Sequence, residues 1–286
     1  MNDFIIHHEI SIRLTFFFGI FIVMALWEVY MPCRELSVSK ALRWTSNLSI
    51  AILNSILLRI LFPAAATGMA LFSEQQGWGI FNSIELPFWL TVFTSVVILD
   101  LAIYLQHVML HAIPLFWRLH RVHHADLDFD VTTGARFHPI EIILSMLIKF
   151  SVIALLGPPV VAVVIFEILL NATAMFNHSN IRLPLQLDGI VRLFIVTPDM
   201  HRVHHSIEDD ETNSNFGFNL SIWDRIFGTY RAQPRNGHKN MTIGIRTFRE
   251  KKDCSQLPGM LAMPFARKIS GYAINRRTWN DNNNKQ

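Results

Sequence analysis

Long apolar runs constrain this chain more than any other feature of its 286 residues. A bilayer crossing needs about 20 mostly apolar residues, and within the hydrocarbon every backbone N–H and C=O must be paired inside the segment, so such runs are read as helices. The first, Phe16 to Met31, is apolar until Glu28. It is preceded by Asp3 and Glu9 instead of a basic leader and followed by no small-residue cleavage site, so it reads as a retained span. A second run extends from Leu48 to Phe72, interrupted by Arg59 and Pro63, and a third from Leu86 to Leu110 carries Asp100. A fourth, Ile140 to Phe176, is too long for one span and is broken by Gly157-Pro158-Pro159, which predicts a helical hairpin with somewhat short arms.

Flanking cations set the orientation. Arg34, Lys40 and Arg43 lie between the first two runs, whereas Ser73 to Glu85 carries Glu74 and Glu85 and no basic residue. The first loop is therefore expected in the cytoplasm. Alternation then puts Arg118, Arg121 and the segment after the hairpin on that face too. Trp27, Trp44, Trp78 and Trp89 suit interfacial anchors. Arg59, Lys149 and Glu167 are costly inside apolar runs and are expected to snorkel or to pair with one another.

Composition narrows the function. A formal charge of +3 gives nucleic-acid binding no footprint, and Cys33 and Cys254 alone make neither a disulfide framework nor a thiolate metal site. Histidine is the remaining metal ligand, with thirteen present. His107 and His111 are four apart at the end of the third run, one turn apart on one helical face. His120, His123 and His124 form a His-x-x-His-His group, and His201, His204 and His205 form a second. Offsets of three and four again gather the side chains on one face. His178 adds a ligand from the end of the hairpin's second arm.

A lone interfacial histidine is ordinarily a polar cap. Nine in dense groups, all on the expected cytoplasmic face, would crowd donors and acceptors with nothing to stabilise them unless a cation sits among them. Nine imidazoles exceed one coordination sphere, so two ions are expected. Imidazole suits iron, copper or zinc. A zinc hydrolase would add a glutamate base such as His-Glu-x-x-His, absent here, and a haem protein would place axial histidines within the span. A non-enzymatic metal carrier would set its ligands near the bilayer midplane instead of at one end. Iron with open positions for O2 fits best.

From about Asp100 to Tyr230 the chain resembles the fatty acid hydroxylase/sterol desaturase family of membrane di-iron enzymes. The resemblance rests on the histidine groups and on their surroundings. These are Asp100 ahead of His107, Pro114-Leu115-Phe116-Trp117-Arg118 ahead of His120, Arg136-Phe137-His138-Pro139, Phe176-Asn177-His178-Ser179-Asn180, Thr197-Pro198 ahead of His201, Asn215-Phe216-Gly217, and Trp223 to Tyr230. Val108 stands where the family often has arginine and Phe216 where it often has tyrosine. The resemblance implies two iron ions on His107, His111, His120, His123, His124, His178, His201, His204 and His205, with zinc able to replace iron in purified protein. No catalytic residue beyond these ligands is expected. It implies use of O2 to hydroxylate or desaturate a membrane lipid such as a sterol or fatty acyl chain. With no dinucleotide-binding glycine pattern or iron–sulfur cysteine set, electrons would come from a separate cytochrome, ferredoxin or reductase.

His138 is open as a ligand or as a donor to one; Asp100 is expected to orient a ligand imidazole or pair with a buried cation. His7, His8 and His238 read as incidental. The expected fold is an all-α integral membrane protein with about three spanning helices, a helical hairpin and a cytoplasmic helical cap holding a dinuclear site. Residues 1–95 would form an N-terminal transmembrane region, 96–232 the catalytic region, and 233–286 a basic tail, disordered from Asn280 to Gln286. The membrane would be a bacterial inner membrane or the endoplasmic reticulum.

Overall fold

The computed structural model describes residues 2–266, so Asn280 to Gln286 lie outside the described residues. The elements are helices: α1 (Asn2–Tyr30), α2 (Lys40–Leu61), α3 (Ala65–Gln76), α4 (Phe88–Ala112), α5 (Pro114–His124), α6 (Pro139–Leu156), α7 (Val160–Asn177), α8 (Leu185–Val191), α9 (Pro198–His204), α10 (Asp209–Thr212), α11 (Ile222–Ile226), α12 (Gly237–Asn240), α13 (Lys251–Cys254) and α14 (Leu257–Ala262). Among the described residues three short 3-10 helices and isolated β-bridges accompany them, with no β-strand. Five segments are long and apolar enough to cross a membrane, in keeping with three spans and a hairpin. Pro63 cannot continue the hydrogen-bond ladder, so the second run breaks into α2 and α3, with Ala65 at φ +52°.

The α6–α7 turn forms where expected, and its backbone explains why glycine is needed. Gly157 caps α6 in the left-handed region at φ +63°, and a Cβ there would lie 2.3 Å from the Trp78 carbonyl oxygen. The loop after α3 is thereby seated against the hairpin tip. Ala66 and Ala70 let α3 approach α6 and α7 closely, around a core of Leu99, Ile153, Val163 and Phe166. α1 runs parallel to α7, with Met24 packed on Met175 and Arg13 bridging to Glu167 at 3.0 Å. Lys149 also reaches Glu167, at 2.7 Å, so the intramembrane charges pair with one another.

The other end of the bundle is tied by buried carboxylates. Asp126 accepts from Arg43 Nε at 2.9 Å and from Nη2 at 2.7 Å, while Asp130 receives Nη1 of the same guanidinium. Arg43 is therefore a fully buried structural charge that clamps α2 to the loop between α5 and α6. Burial opposes ionisation of Asp126, but the Arg43 charge, with hydrogen bonds from Arg43 and Thr133, holds that carboxyl below the usual range. Asp128 accepts from the Ser37 and Val38 amides, and Glu28 accepts from the Val131 and Asn180 amides, both at 2.7 Å. The connection between α1 and α2 thus lies at the same end as the histidine-bearing segments.

Residues 241–265, basic and irregular by sequence, pack into this end. Ile245, Cys254, Met260 and Met263 share a core with Ile50, Trp117 and Val122, and Ser206 pairs with Ile243. Beside α4, Phe227 stacks on Tyr104 with ring centroids 5.2 Å apart. Leu185, Ile190, Phe194 and Ile226 are exposed nearby, an apolar shelf suited to the bilayer boundary.

Replacing Arg43 with Met should leave Asp126 and Asp130 buried without their cation. Thermal unfolding in detergent is expected to register a loss of about 3–5 kcal/mol, or the variant fails to accumulate, whereas Glu74→Gln on the exposed turn of α3 is expected to unfold as the parent does.

Candidate metal centre

Each segment bearing histidines is started by a local device. Pro114 opens α5 at its first position, where its missing N–H costs nothing, and Pro198 does the same for α9. Thr197 caps α9, its Oγ1 accepting from the Met200 amide at 3.3 Å. The helical repeat then turns His120, His123 and His124 inward from α5 and His201, His204 and His205 inward from α9 and its cap. α4 delivers His107 and His111 one turn apart. His178 sits at the C-cap of α7.

These nine side chains converge into two groups. His107, His111, His120, His124 and His204 form one; His123, His178, His201 and His205 form the other, the offered nitrogens in each lying within 4.8 Å of one another. Each His-x-x-His-His segment serves both. The i,i+4 pair His120/His124 enters the first group and His123 the second, while His201/His205 enters the second and His204 the first. No residue of the nine is more than 4% exposed, so bulk water does not solvate them.

Hydrogen bonds fix which nitrogens face inward. His107 Nδ1 lies 2.8 Å from the Phe216 carbonyl, His120 Nδ1 lies 2.7 Å from Glu141 Oε1, and His204 Nδ1 lies 2.7 Å from the Ser214 carbonyl. Facing acceptors, these nitrogens carry the protons, which leaves Nε2 as a lone pair. His107 Nε2 and His120 Nε2 are nevertheless 3.1 Å apart. Two lone pairs at that distance repel. His178 Nδ1 faces the Ala174 carbonyl at 2.8 Å, and its Nε2 stands 3.1 Å from His123 Nε2 and 3.0 Å from His201 Nε2. His204 Nε2 and both nitrogens of His205 are buried without a hydrogen-bond partner among the described residues. Nitrogens bound at about 2.0–2.1 Å to one ion stand roughly 2.9–3.4 Å from their neighbours. The donor set therefore fits a cation in each group.

Burial holds the imidazoles neutral, as ligands must be. It pushes His123, His124, His201 and His205 well below the ordinary histidine value, and the neighbouring imidazoles add to the effect. Burial likewise lowers His204 to about 3. Aromatic rings enclose the site: Phe137 stacks on His123 at 4.5 Å, and Phe216 packs edge-on to His111 and His204.

Two of the expected residues are placed elsewhere. Among the described residues Asp100 touches no histidine and no cation; it accepts from the Leu220 amide at 3.1 Å and Trp223 Nε1 at 2.8 Å, bracing the loop that carries Phe216. His138 lies outside both groups, its Nδ1 accepting from the Ile140 amide to cap α6 and its Nε2 facing the Leu261 carbonyl. His7 and His8 are exposed at the start of α1, and His238 lies beside Asp199, all apart from the centre. Glu141, Asn213 and Asp224 are supports that sequence reading did not assign. Glu141 is 21 residues from His120, and Asn213 Oδ1 reaches His111 Nδ1 at 3.3 Å across 102 residues, separations that leave no local pattern. Asp224 accepts from the Phe216 and Gly217 amides and so positions the carbonyl that His107 meets. Burial raises Asp224 to about 6 against the pull of these hydrogen bonds.

A cavity of about 360 Å³ extends from His107, His120 and Glu141 into the bundle between α1, α2, α4, α6 and α7. Its size is that of a small-ligand site. Phe17, Leu58, Leu110 and Met146 give it apolar walls, and Arg13, Lys149 and Glu167 close the end away from the histidines.

Comparison with known proteins agrees with this architecture. The fatty acid hydroxylase family matches over residues 92–229. The ornithine lipid hydroxylase OlsE of Rhizobium tropici is 31% identical, over 64% of this chain and 52% of its own length. The alkylglycerol monooxygenase of Homo sapiens is 31% identical, over 60% of this chain and 38% of its own. The methylsterol monooxygenase 2-2 of Arabidopsis thaliana is 25% identical, over 66% of this chain and 68% of its own length. The chain thus spans about half or less of the first two relatives, and no solved structure matches it. The region that matches the fatty acid hydroxylase family, residues 92–229, contains all nine converging histidines.

Proposed function

We propose that this chain is a membrane oxidoreductase that holds two iron ions and uses O2 to hydroxylate or desaturate a lipid. The observation that carries the reading is the double histidine group: inward lone pairs about 3 Å apart, with outward N–H groups on His107, His120, His178 and His204 tied to acceptors. His107, His111, His120, His124 and His204 would hold one ion and His123, His178, His201 and His205 the other. Bound iron would supply the reduction of O2 that drives oxidation of an unactivated C–H bond. Hydroxylation consumes one O2, two electrons and two protons and yields an alcohol and water; desaturation with the same reductant yields an alkene and two waters. Zinc, which accepts the same imidazoles, could occupy the site in purified protein without supporting electron transfer.

The protein's own contribution is enclosure and orientation. Glu141 and the Phe216 and Ser214 carbonyls keep the imidazoles in the tautomer that presents Nε2. Phe137 and Phe218 line the histidine end of the cavity and exclude water there, and the cavity brings hydrocarbon from the bundle interior to His107 and His120. Electrons would come from a separate cytochrome, ferredoxin or reductase. The cations Arg34, Lys40, Arg118 and Arg121 near the histidine end support a cytoplasmic placement of the site. Lipids named for the relatives, an ornithine lipid, alkylglycerols and methylsterols, are the first substrates to test.

Metal analysis of purified protein expressed with iron is expected to give about two ions per chain. His123→Ala and His204→Ala should lower that content, while His138→Ala should keep it; a parent without metal would remove the basis of the reading. Under 18O2 and a reducing system, label is expected in a lipid hydroxyl for a hydroxylase, or a new double bond for a desaturase. Glu141→Gln should reduce metal affinity or turnover about 10- to 100-fold.

Acidification provides a further check. Because burial depresses the folded-state values, the unfolded chain, with imidazoles near 6.5, takes up protons first. Stability should be level above neutrality and fall as pH drops from about 6.5 toward the value of about 3 at His204. Thermal midpoints measured across that range should trace the loss, and a flat profile would contradict it.

A further inference from the structure

The cavity beneath the histidines contains polar atoms for which the described residues supply no partner. Asn54, on α2 and 6% exposed, donates through Nδ2 to the Phe137 carbonyl at 2.9 Å. That contact fixes the amide orientation and leaves Oδ1 buried without a hydrogen bond. Gln106, next to His107 on α4, donates through Nε2 to Ser145 Oγ at 2.9 Å, and its Oε1 is buried and unpaired. Turning the Gln106 amide would only change which of its atoms is left over. Both side chains line the cavity.

A saturated hydrocarbon in this space would leave these atoms dry, an arrangement proteins avoid. The charged end of the cavity points the same way. Lys149 lies one turn beyond Ser145 on α6 and, with Arg13, meets Glu167 in the middle of the spans. Charges at such depth are rare and mark substrate paths. The volume accommodates roughly a dozen water-sized groups, enough for one polar group with a short stretch of chain, so the rest of a membrane lipid must lie outside.

We infer that Asn54 and Gln106 are specificity residues that hold a hydroxyl or amide N–H of the lipid inside the cavity. Because Gln106 adjoins His107, the oxidised C–H bond lies a few bonds from that polar group instead of at a distance set by the methyl end. This rests on the reading of the histidine groups as the oxidising centre.

The test is binding without turnover, using the full chain loaded with metal in lipid nanodiscs and two probes of equal length, 1-hexadecanol and hexadecane. The alcohol is expected to raise the thermal midpoint saturably and the alkane to leave it unchanged. Asn54→Leu and Gln106→Leu should each weaken the alcohol about five- to tenfold, and retained metal shows that each variant is folded. Equal effects of the two probes, no effect of either, or variants that keep the parent's preference would overturn the proposal and assign these atoms to water. Where turnover is obtained, alcohols of increasing length should carry the new oxygen at a fixed number of carbons from the hydroxyl; a position fixed from the methyl end would overturn it as well. Failure of these tests leaves the oxidation reading standing, since that reading is judged by metal content and oxygen label.

Discussion

Where His107 meets His120, two imidazole nitrogens stand 3.1 Å apart with their hydrogens turned outward. The same arrangement recurs where His178 meets His123 and His201. Nine neutral rings packed in this way are not stabilised by one another, and burial denies them water. The chain accepts this arrangement because the rings are carried on rigid elements and fixed from behind by carbonyls and a carboxylate. Their inward lone pairs make the end of the bundle a receptor for cations, and the proposed chemistry follows from that.

The scaffold solves two problems with different forces. Within the spans, apolar surface faces lipid, and interior contacts come from small residues such as Ala66 and Ala70 and from the glycine-lined hairpin tip. At the histidine end, where irregular backbone must be held in place, buried carboxylates take over. Glu28, Asp100, Asp126, Asp128 and Asp130 each accept from backbone amides or a buried side-chain donor on a distant segment, and Asp224 accepts from the nearby Phe216 amide. Arg43 illustrates the division: it is one of the cations between the first two apolar runs, and it also neutralises Asp126 and Asp130 inside the fold.

The cavity connects the two halves. Its upper wall is the histidine end, at His107 and His120, and its lower end is the paired cluster of Arg13, Lys149 and Glu167, so an occupant meets polar groups at both ends and hydrocarbon between them. Ion pairing makes charge tolerable at that depth, and the amide oxygens of Asn54 and Gln106 are buried along the same cavity without a hydrogen bond among the described residues.

Much of this was legible in the sequence because it depends on local periodicity. Apolar runs of bilayer length specify helices, Gly157-Pro158-Pro159 specifies a turn, and histidines spaced by three and four specify inward faces on α5 and α9. The family resemblance followed from the same residues. What only the tertiary structure decided is set by contacts between segments far apart in the chain. The division of the nine histidines into five and four, with each His-x-x-His-His segment split between both groups, depends on how α5 and α9 face each other. The role of Asp100 as a loop brace, the exclusion of His138 and the support from Glu141 and Asn213 depend on contacts across 21 to 123 residues. Helical spacing records which way a side chain points from its own axis; it carries no record of what another helix brings to meet it.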